Sequence, residues 1–250
     1  MWEALNAACQ EKMERVLITG GARRIGAQIA RRFAHSGWQV VIHCNHSLKE
    51  AEALAAELSG EVVCGDLAAA GGVERVLSAA GEISALVNNA STYRRRRFET
   101  LGEEQLRADF EINFFAPFAL MRGFAARGKP GCIINLLDQR IARPDPDSAG
   151  YTLAKQSLAQ ATRMGALAWA PQGLRVNAVA PGYVRPADGV PMAAMQPFVA
   201  ATPLRCRSTE EQVAESVFFL AGNAAVTGVI LYVDGGLHLP DGRLGERIKA

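Results

Sequence analysis

Two side chains in the second half of the chain, Tyr151 and Lys155, could carry acid–base chemistry. They are four residues apart, so they share one face of the helix predicted over 148–170. Because an ammonium group near a tyrosine hydroxyl favours the phenolate, we expect Lys155 to lower the pKa of Tyr151. Such a tyrosine could donate a proton while a hydride reaches the same substrate. A Tyr-x-x-x-Lys pair alone usually marks a surface contact, so its meaning depends on the surrounding elements.

A glycine-containing turn near the start of the chain could hold a nucleotide. Between a predicted strand and a predicted helix the sequence reads Thr19-Gly20-Gly21-Ala22-Arg23-Arg24-Ile25-Gly26. Gly20 and Gly26 would let the backbone approach a pyrophosphate, which would then lie at the positive end of the helix. A turn without a ligand is the alternative, and the strand–turn–helix context favours the nucleotide.

The end of the next strand indicates which dinucleotide this turn would bind. Enzymes that select NAD usually carry Asp or Glu there, about 20 residues after the first glycine, to bind the ribose 2′-hydroxyl. Here residues 43–47 read His-Cys-Asn-His-Ser, and the first acid that follows is Glu50. Arg23, His46 and Ser47 could instead receive a 2′-phosphate. We therefore expect NADP(H), and a merely solvated Arg23 is the alternative.

Composition argues against several other classes of protein. The chain has 250 residues with 27 Lys and Arg against 25 Asp and Glu, so its net charge is only +2. This balance argues against nucleic acid or an anionic membrane as the main partner. No apolar run reaches about 18 residues, so no membrane span is expected. The five cysteines, at positions 9, 44, 64, 132 and 206, form no CxxC. They predict neither a disulfide framework nor a metal site, and reduced thiols favour the cytoplasm.

Short apolar runs alternate with helix-like segments along nearly the whole chain. This alternation predicts βαβ units, hence an α/β fold with a doubly wound parallel sheet and helices on both faces. We expect one domain over 15–250, preceded by an N-terminal arm over 1–14. Residues 103–126 should form one long helix with Pro117 as its irregularity. The proline-rich stretch 181–203 should be irregular and cover a ligand at the carboxyl ends of the late strands.

Four motifs together resemble the short-chain dehydrogenase/reductase family over residues 15–237: Thr19-Gly20…Gly26, Asn88-Asn89-Ala90, Tyr151-x-x-x-Lys155 and Pro181-Gly182. The resemblance implies a Rossmann-type fold and an NAD(P)-dependent oxidoreductase with Tyr151 as proton donor. It further implies that Lys155 holds the nicotinamide ribose, that Asn113 has a structural and proton-relay role, and that Asp66 contacts adenine. The implied cofactor contacts are Gly20, Arg23, Arg24, Ile25, Gly26, His46, Ser47, Asp66, Asn89, Ala90, Tyr151, Lys155, Pro181 and Gly182.

Three positions depart from the common pattern of that family. Asp138 stands where a serine is usual, thirteen residues before the tyrosine, Arg24 replaces a glycine, and Ser91 replaces the glycine after Asn-Asn-Ala. All three departures resemble the pteridine reductases and dihydromonapterin reductases. This resemblance implies a pterin whose polar edge meets Arg24 and Ser91 and whose ring stacks on Tyr93. A tolerated polar residue at Asp138 and a loop aromatic at Tyr93 are the alternatives.

Reduction of a pterin requires a proton, and Asp138 could take part in supplying it. Reduction adds a hydride to a C=N bond and a proton to its nitrogen, and a carboxyl group beside a tyrosine could hold and pass that proton. We expect Asp138, Tyr151, Lys155 and Asn113 to be catalytic. A pterin or folate-class substrate should contact Arg24, Ser91, Tyr93, Asp138 and Tyr151. A reductase of a C=O group, such as a 3-oxoacyl thioester, and a non-catalytic nucleotide-binding regulatory protein are the alternatives.

Four consecutive arginines, Arg94 to Arg97, follow Tyr93. They could form a solvated loop, attract an anionic substrate tail, or dock an acidic acyl carrier protein. The family resemblance also implies a homo-oligomer, either a dimer or a tetramer. Its contacts would come from the helices predicted over 103–126 and 148–170, whose Ala-rich outer faces suit close packing.

Overall fold

The computed structural model of the protein describes residues 14–186 and 189–240. In this part of the chain, parallel strands form a single sheet in the order β3-β2-β1-β4-β5-β6-β7. The strands are β1 (Arg15–Ile18), β2 (Gln39–Cys44), β3 (Glu61–Cys64), β4 (Ala85–Asn88), β5 (Gly131–Leu136), β6 (Leu174–Pro181) and β7 (Ile230–Val233). The predicted doubly wound, Rossmann-type α/β sheet is confirmed. Residues 1–13 of the predicted arm, Cys9 and residues 241–250 lie outside the described residues.

Helices cover both faces of the sheet because successive strand residues point to opposite sides. In β1, Val16 and Ile18 belong to one apolar core and Leu17 belongs to the other. The first core includes α1, α2 and α8, and the second includes α3, α5 and α6. The helices are α1 (Arg24–Ala34), α2 (Leu48–Leu58), α3 (Gly72–Ala80), α4 (Glu103–Phe110), α5 (Ala116–Ala125), α6 (Ala149–Trp169), α7 (Gln196–Ala200) and α8 (Glu210–Gly222).

The helix predicted over 103–126 is not continuous. A π-helical turn, Glu111–Phe115, separates α4 from α5. Pro117 has no N–H with which to bind the carbonyl four residues earlier, so the turn before it widens. The irregularity therefore precedes Pro117, at the turn that contains the fully buried Asn113. The prediction of one long helix was wrong at this point.

The strand order reverses between β1 and β4, and their carboxyl ends border the crevice where doubly wound sheets bind ligands. The stretch 181–203 follows β6 at the same end of the sheet. It was predicted to be irregular, but it contains a 3₁₀ turn, Met192–Met195, and the short helix α7. None of the described helices is both long and apolar enough to span a membrane.

Candidate active site

At two positions of the turn after β1, Gly20 and Gly26, there is no room for a side chain. Gly20 has a φ of +60°, and a Cβ there would lie 3.0 Å from the Cα of Ala90. A Cβ on Gly26 would lie 2.7 Å from Asn89 Nδ2. A turn with glycines at such positions, at the start of a helix, lets a pyrophosphate approach main-chain N–H groups. The residues present therefore fit a dinucleotide.

Asn89 holds this turn against the end of β4. Its Nδ2 donates hydrogen bonds to the carbonyls of Thr19 and Gly20, both at 2.9 Å. Thr19 Oγ1 accepts from the backbone N–H groups of Asn89 and Ala90, both at 3.0 Å. With its side chain engaged in this way, Asn89 would meet a cofactor through its main chain, as the family resemblance implies. Ile25 packs its side chain against the apolar core, so it too would offer main chain.

His43 is a supporting residue that the sequence analysis did not single out. Its Nδ1 accepts from the Gly20 N–H at 3.2 Å, and its Nε2 lies 2.9 Å from the carbonyl of Gly65. This pattern places the single ring proton on Nε2. Burial lowers the pKa of His43, which favours the neutral ring. A buried histidine at the end of β2 is the sequence signal that could have pointed to it.

The predicted contacts to adenosine and its 2′-phosphate lie around the carboxyl ends of β2 and β3. Arg23 is an exposed residue at the N-cap of α1, and exposed His46 and half-buried Ser47 lead into α2. Asp66 follows β3, where its Oδ1 accepts from the Ala68 N–H at 2.9 Å. The carboxylate that would repel a 2′-phosphate is absent from the end of β2.

Asp138, Tyr151 and Lys155 meet at the carboxyl end of β5. The hydroxyl of Tyr151 donates to Asp138 Oδ2 at 3.2 Å. Lys155 Nζ donates to the carbonyl of Leu136 at 2.8 Å and lies 5.8 Å from the centroid of the Tyr151 ring. Tyr151 and Lys155 are buried on α6, one turn apart. The structure therefore brings three of the four predicted catalytic side chains into one cluster, whereas Asn113 binds the segment after β4.

The pKa of Tyr151 is displaced in the direction opposite to the one expected. Burial, and then the negative charge of Asp138, raise the pKa of Tyr151 well above its ordinary value. The expected lowering by Lys155 was wrong, because the Asp138 carboxylate contacts the hydroxyl directly while the ammonium binds a backbone carbonyl. Burial also lowers the pKa of Lys155 to about 8, although the Asp138 charge opposes the shift. Tyr151 is thus held in the protonated form that a proton donor requires.

Arg140 is a second residue that the sequence analysis missed. Its Nη1 lies 3.2 and 3.1 Å from the two oxygens of Asp138, and its Nε donates to Asp145 Oδ2 at 3.0 Å. Its backbone N–H donates to Asp138 Oδ1 at 2.9 Å. Burial alone would lower the pKa of Arg140, but Asp138 and Asp145 raise it. The signal for this contact is the Asp-x-Arg spacing at the end of a strand.

The predicted substrate side adjoins this cluster. Ser91 Oγ donates to Asn113 Oδ1 at 2.7 Å, and Asn113 Nδ2 donates to the Thr92 carbonyl at 2.9 Å. The ring of Tyr93 meets that of Tyr151 edge to face, with centroids 5.1 Å apart. The Arg140 guanidinium lies over the Tyr93 ring, 5.2 Å from its centroid. Asn113 thus positions the segment that carries Ser91 and Tyr93.

Arg24 connects the nucleotide turn to the stretch after β6. Its Nη2 donates to the carbonyl of Pro186 at 2.7 Å. Its φ is +54°, a left-handed conformation that favours glycine, which explains why glycine is common here in the resembling family. At the end of β6, which closes with Pro181, the Gly182 N–H donates to the Val233 carbonyl at 2.9 Å.

The four-arginine run is divided among different partners. Arg95 pairs with Asp147 at 2.8 Å, and Arg97 lies 3.6 Å from Glu99. Their side chains are 72% and 71% exposed, which fits a solvated loop. Arg96 instead pairs with the buried Asp109 at 3.2 Å. The solvated-loop interpretation is therefore wrong for Arg96.

Known proteins with similar sequence or structure share this architecture. A family model described as Enoyl-(Acyl carrier protein) reductase matches residues 20–238. Protein FixR of Bradyrhizobium diazoefficiens is 33% identical, over 95% of this chain and 91% of its own. Pteridine reductase 1 of Leishmania tarentolae is 29% identical, over 89% and 96%.

A solved structure extends the similarity to three dimensions. The FolM alternative dihydrofolate reductase 1 of Brucella suis, in complex with NADP, superposes with a TM-score of 0.85. It is 34% identical to this protein and covers 91% of this chain and 96% of its own. With the turn after β1, the Tyr151–Lys155 pair and the matched family model, these similarities settle the assignment. The chain belongs to the short-chain dehydrogenase/reductase family of oxidoreductases.

Proposed function

We propose that this protein is an NADPH-dependent reductase of the pteridine reductase type. Its substrate would be a dihydropterin or a dihydrofolate-like ring, reduced at a C=N bond. The observation that carries the proposal is the hydrogen bond of 3.2 Å from the Tyr151 hydroxyl to Asp138, a carboxylate at a position where the family usually has serine. The similarity to a pteridine reductase and to an alternative dihydrofolate reductase supports it.

The cofactor would lie along the carboxyl ends of β1, β2 and β4. The backbone at Gly20 and Gly26 would hold the pyrophosphate, and Arg23, His46 and Ser47 would take the 2′-phosphate. The NADP in the similar FolM structure supports this choice. When bound, NADPH supplies the hydride.

The catalytic cluster would handle the proton. Tyr151 keeps its proton at neutral pH because burial and Asp138 raise its pKa, so it can protonate the ring nitrogen. Asp138 orients the Tyr151 hydroxyl and, in turn, is oriented by Arg140. Lys155, with a pKa of about 8, carries a positive charge at neutral pH and would hold the nicotinamide ribose.

The pterin would lie between this cluster and the segment after β4. Tyr93 is about half exposed and would stack on the flat ring, while Ser91 and Arg24 would bind its polar edge. Asn113 would act by positioning this segment, because its side-chain amide is already bound to Ser91, Thr92 and the Asp109 carbonyl.

Reduction of a C=O group is the second candidate, and the similarity to a 3-oxoacyl-[acyl-carrier-protein] reductase of Staphylococcus aureus, 28% identical over 89% of this chain, favours it. The deciding experiment follows NADPH oxidation with dihydrobiopterin, dihydrofolate and an acetoacetyl thioester, in the wild type and in Asp138→Ser. We expect turnover of a pterin or folate by the wild type and its loss in the variant. Activity on the thioester alone would overturn the pterin proposal, and faster turnover with NADH would overturn the cofactor.

We also propose a homo-oligomer that forms through the outer faces of α4–α6. Large apolar side chains are exposed on these helices, among them Phe115, Phe118, Met164 and Leu167. Solvent exposure of such a group is costly, and a second copy of the chain would cover it. Light scattering should give at least twice the mass of one chain.

The reduced thiols and the NADPH requirement favour a cytoplasmic location.

A further inference from the structure

Arg96, within the substrate segment (residues 91–98), forms an ion pair with Asp109 of α4, and neither residue belongs to the catalytic cluster. Arg96 Nη1 lies 3.2 Å from Asp109 Oδ1, and the two side chains are 17% and 1% exposed. Burying a carboxylate this deeply is costly unless a cation compensates its charge. Arg96 is therefore a structural partner of Asp109 rather than a spare surface charge.

Arg96 also anchors the substrate segment through its main chain. Its N–H donates to the Asp147 carbonyl at 2.9 Å, and its own carbonyl accepts from the Ala149 N–H at 3.1 Å. Ala149 is the first residue of α6, the helix that carries Tyr151. The Nη1 atom of Arg96 further donates to the carbonyl of Gln105 in α4 at 2.6 Å. One arginine thus ties the segment to both helices.

Asp109 contacts the first turn of α6 as well. A Cβ on Gly150 would meet the carboxylate, at 3.2 Å from Asp109 Cγ, so only glycine lets the helix pack this closely. Gly150 directly precedes Tyr151. The Arg96–Asp109 pair therefore packs against the first turn of α6, whose backbone positions Tyr151, the proposed proton donor.

The two ends of the substrate segment are held from the same helical stretch. Asn113 lies four residues after Asp109 and binds Ser91 and Thr92, whereas Asp109 binds Arg96. Tyr93 lies between the two anchors, with its ring 5.1 Å from that of Tyr151. Because both anchors are buried and the ring is half exposed, the backbone can be fixed while the ring stays accessible.

We propose that the Arg96–Asp109 pair positions the substrate segment, so that Tyr93 presents its ring to the substrate beside Asp138 and Tyr151. Neither member of the pair contacts the reacting atoms, so both are positioning residues. The inference deepens the proposed function and rests on it, because it assigns substrate binding to Tyr93. It also gives Arg96 a different role from that of its neighbours Arg95 and Arg97, which pair with exposed carboxylates.

Steady-state kinetics of Arg96→Gln and Asp109→Asn provide the first test. We expect the KM for the dihydropterin to rise about tenfold or more, with a smaller fall in kcat and an unchanged KM for NADPH. Arg96→Lys keeps the charge but loses the planar fork, so it should recover part of the loss. Arg95→Gln and Arg97→Gln are the matched controls and should keep the wild-type KM.

Amide hydrogen exchange provides a second test that needs no substrate. The N–H groups of Arg96 and Phe98, which bind the Asp147 and Pro146 carbonyls, should exchange faster in Asp109→Asn and at the wild-type rate in Arg95→Gln. Unchanged exchange in Arg96→Gln and Asp109→Asn, or an equal rise of both KM values, would overturn the positioning role. If the wild type reduces no pterin, the proposed function fails, and exchange still decides whether the pair holds the segment.

Discussion

Replacing Arg140 by methionine should distinguish the orientation of Asp138, the proposed catalytic carboxylate, from its presence alone. Methionine has a similar length and can fill the site, but it has no donors. The substitution removes the contacts of 3.1 and 3.2 Å to Asp138 and the bond of 3.0 Å to Asp145. Asp138 keeps the bond of 2.9 Å from the backbone N–H of residue 140. The carboxylate is therefore retained, while its side-chain clamp is lost.

The contacts and burial of Arg140 determine how far the substitution should lower the free energy of unfolding and kcat. Hydrogen bonds to charged groups contribute about 1.5–3 kcal/mol each, and partial solvent exposure reduces this contribution. The Arg140 and Asp138 side chains are 19% and 17% exposed, so we expect the free energy of unfolding to fall by about 2–3 kcal/mol. Misplacement of a reacting group by about 1 Å costs about a hundredfold in rate. We therefore expect kcat for the pterin to fall by about 10- to 100-fold.

Chemical denaturation and NADPH oxidation measure the two effects on the same preparations. Arg143→Met is the matched control, because Arg143 belongs to the same loop and donates to the Leu237 carbonyl at 3.2 Å. Arg140→Lys should fall between the wild type and Arg140→Met, since a lysine cannot bind both carboxylates in a planar fork. A lowered stability with unchanged kcat in Arg140→Met would refute the claim that Arg140 orients Asp138.

One pH profile and two substitutions probe other parts of the site. Lys155 loses its proton with a pKa of about 8, so kcat/KM should fall as the pH rises through that value. A pH profile without a fall near pH 8 would contradict a role for the positive charge of Lys155. Arg24→Gly relieves the strain of a φ of +54°, so thermal unfolding should show that the free energy of unfolding rises by about 1 kcal/mol. The same substitution removes the hydrogen bond to the Pro186 carbonyl, so the KM for the substrate should rise. In Gly26→Ala the new Cβ would lie 2.7 Å from Asn89 Nδ2, so the protein should no longer bind NADPH, as measured by NADPH fluorescence. Tight binding by this variant would argue against the claim that the turn must lack a side chain at Gly26.

Most of the fold could be predicted from the sequence because its signals are local. The alternation of short apolar runs with helical patterns predicted the parallel sheet, and the helix predicted over 148–170 agrees with α6 (Ala149–Trp169) to within one residue at each end. The break between α4 and α5 was misplaced, because the consequence of Pro117 appears at the carbonyl four residues earlier. The helix α7 was missed because a five-residue helix between prolines has too little periodicity to be recognised.

The proximity of the proposed catalytic residues could be predicted, but their electrostatics could not. Spacing placed Tyr151 and Lys155 on one helix face, and the structure brings Asp138 to them. The direction of the Tyr151 pKa depends on which charge contacts the hydroxyl and how much water is excluded, and neither property is local in sequence. Arg96 shows the same limit, because its partner Asp109 is thirteen residues away and on another element.

Asp138 works only as part of a charged group, and this bears on how specificity can be changed. A carboxylate next to a buried tyrosine needs a compensating cation, which Arg140 supplies while it also binds Asp145. Asp138→Ser alone would leave Arg140 paired with Asp145 at 3.0 Å, but it would remove the two oxygens that Arg140 Nη1 contacts. A largely buried donor that loses its partners costs free energy. Carbonyl reduction should therefore be faster when Arg140 is replaced together with Asp138, and equal thioester turnover by Asp138→Ser alone would contradict this dependence.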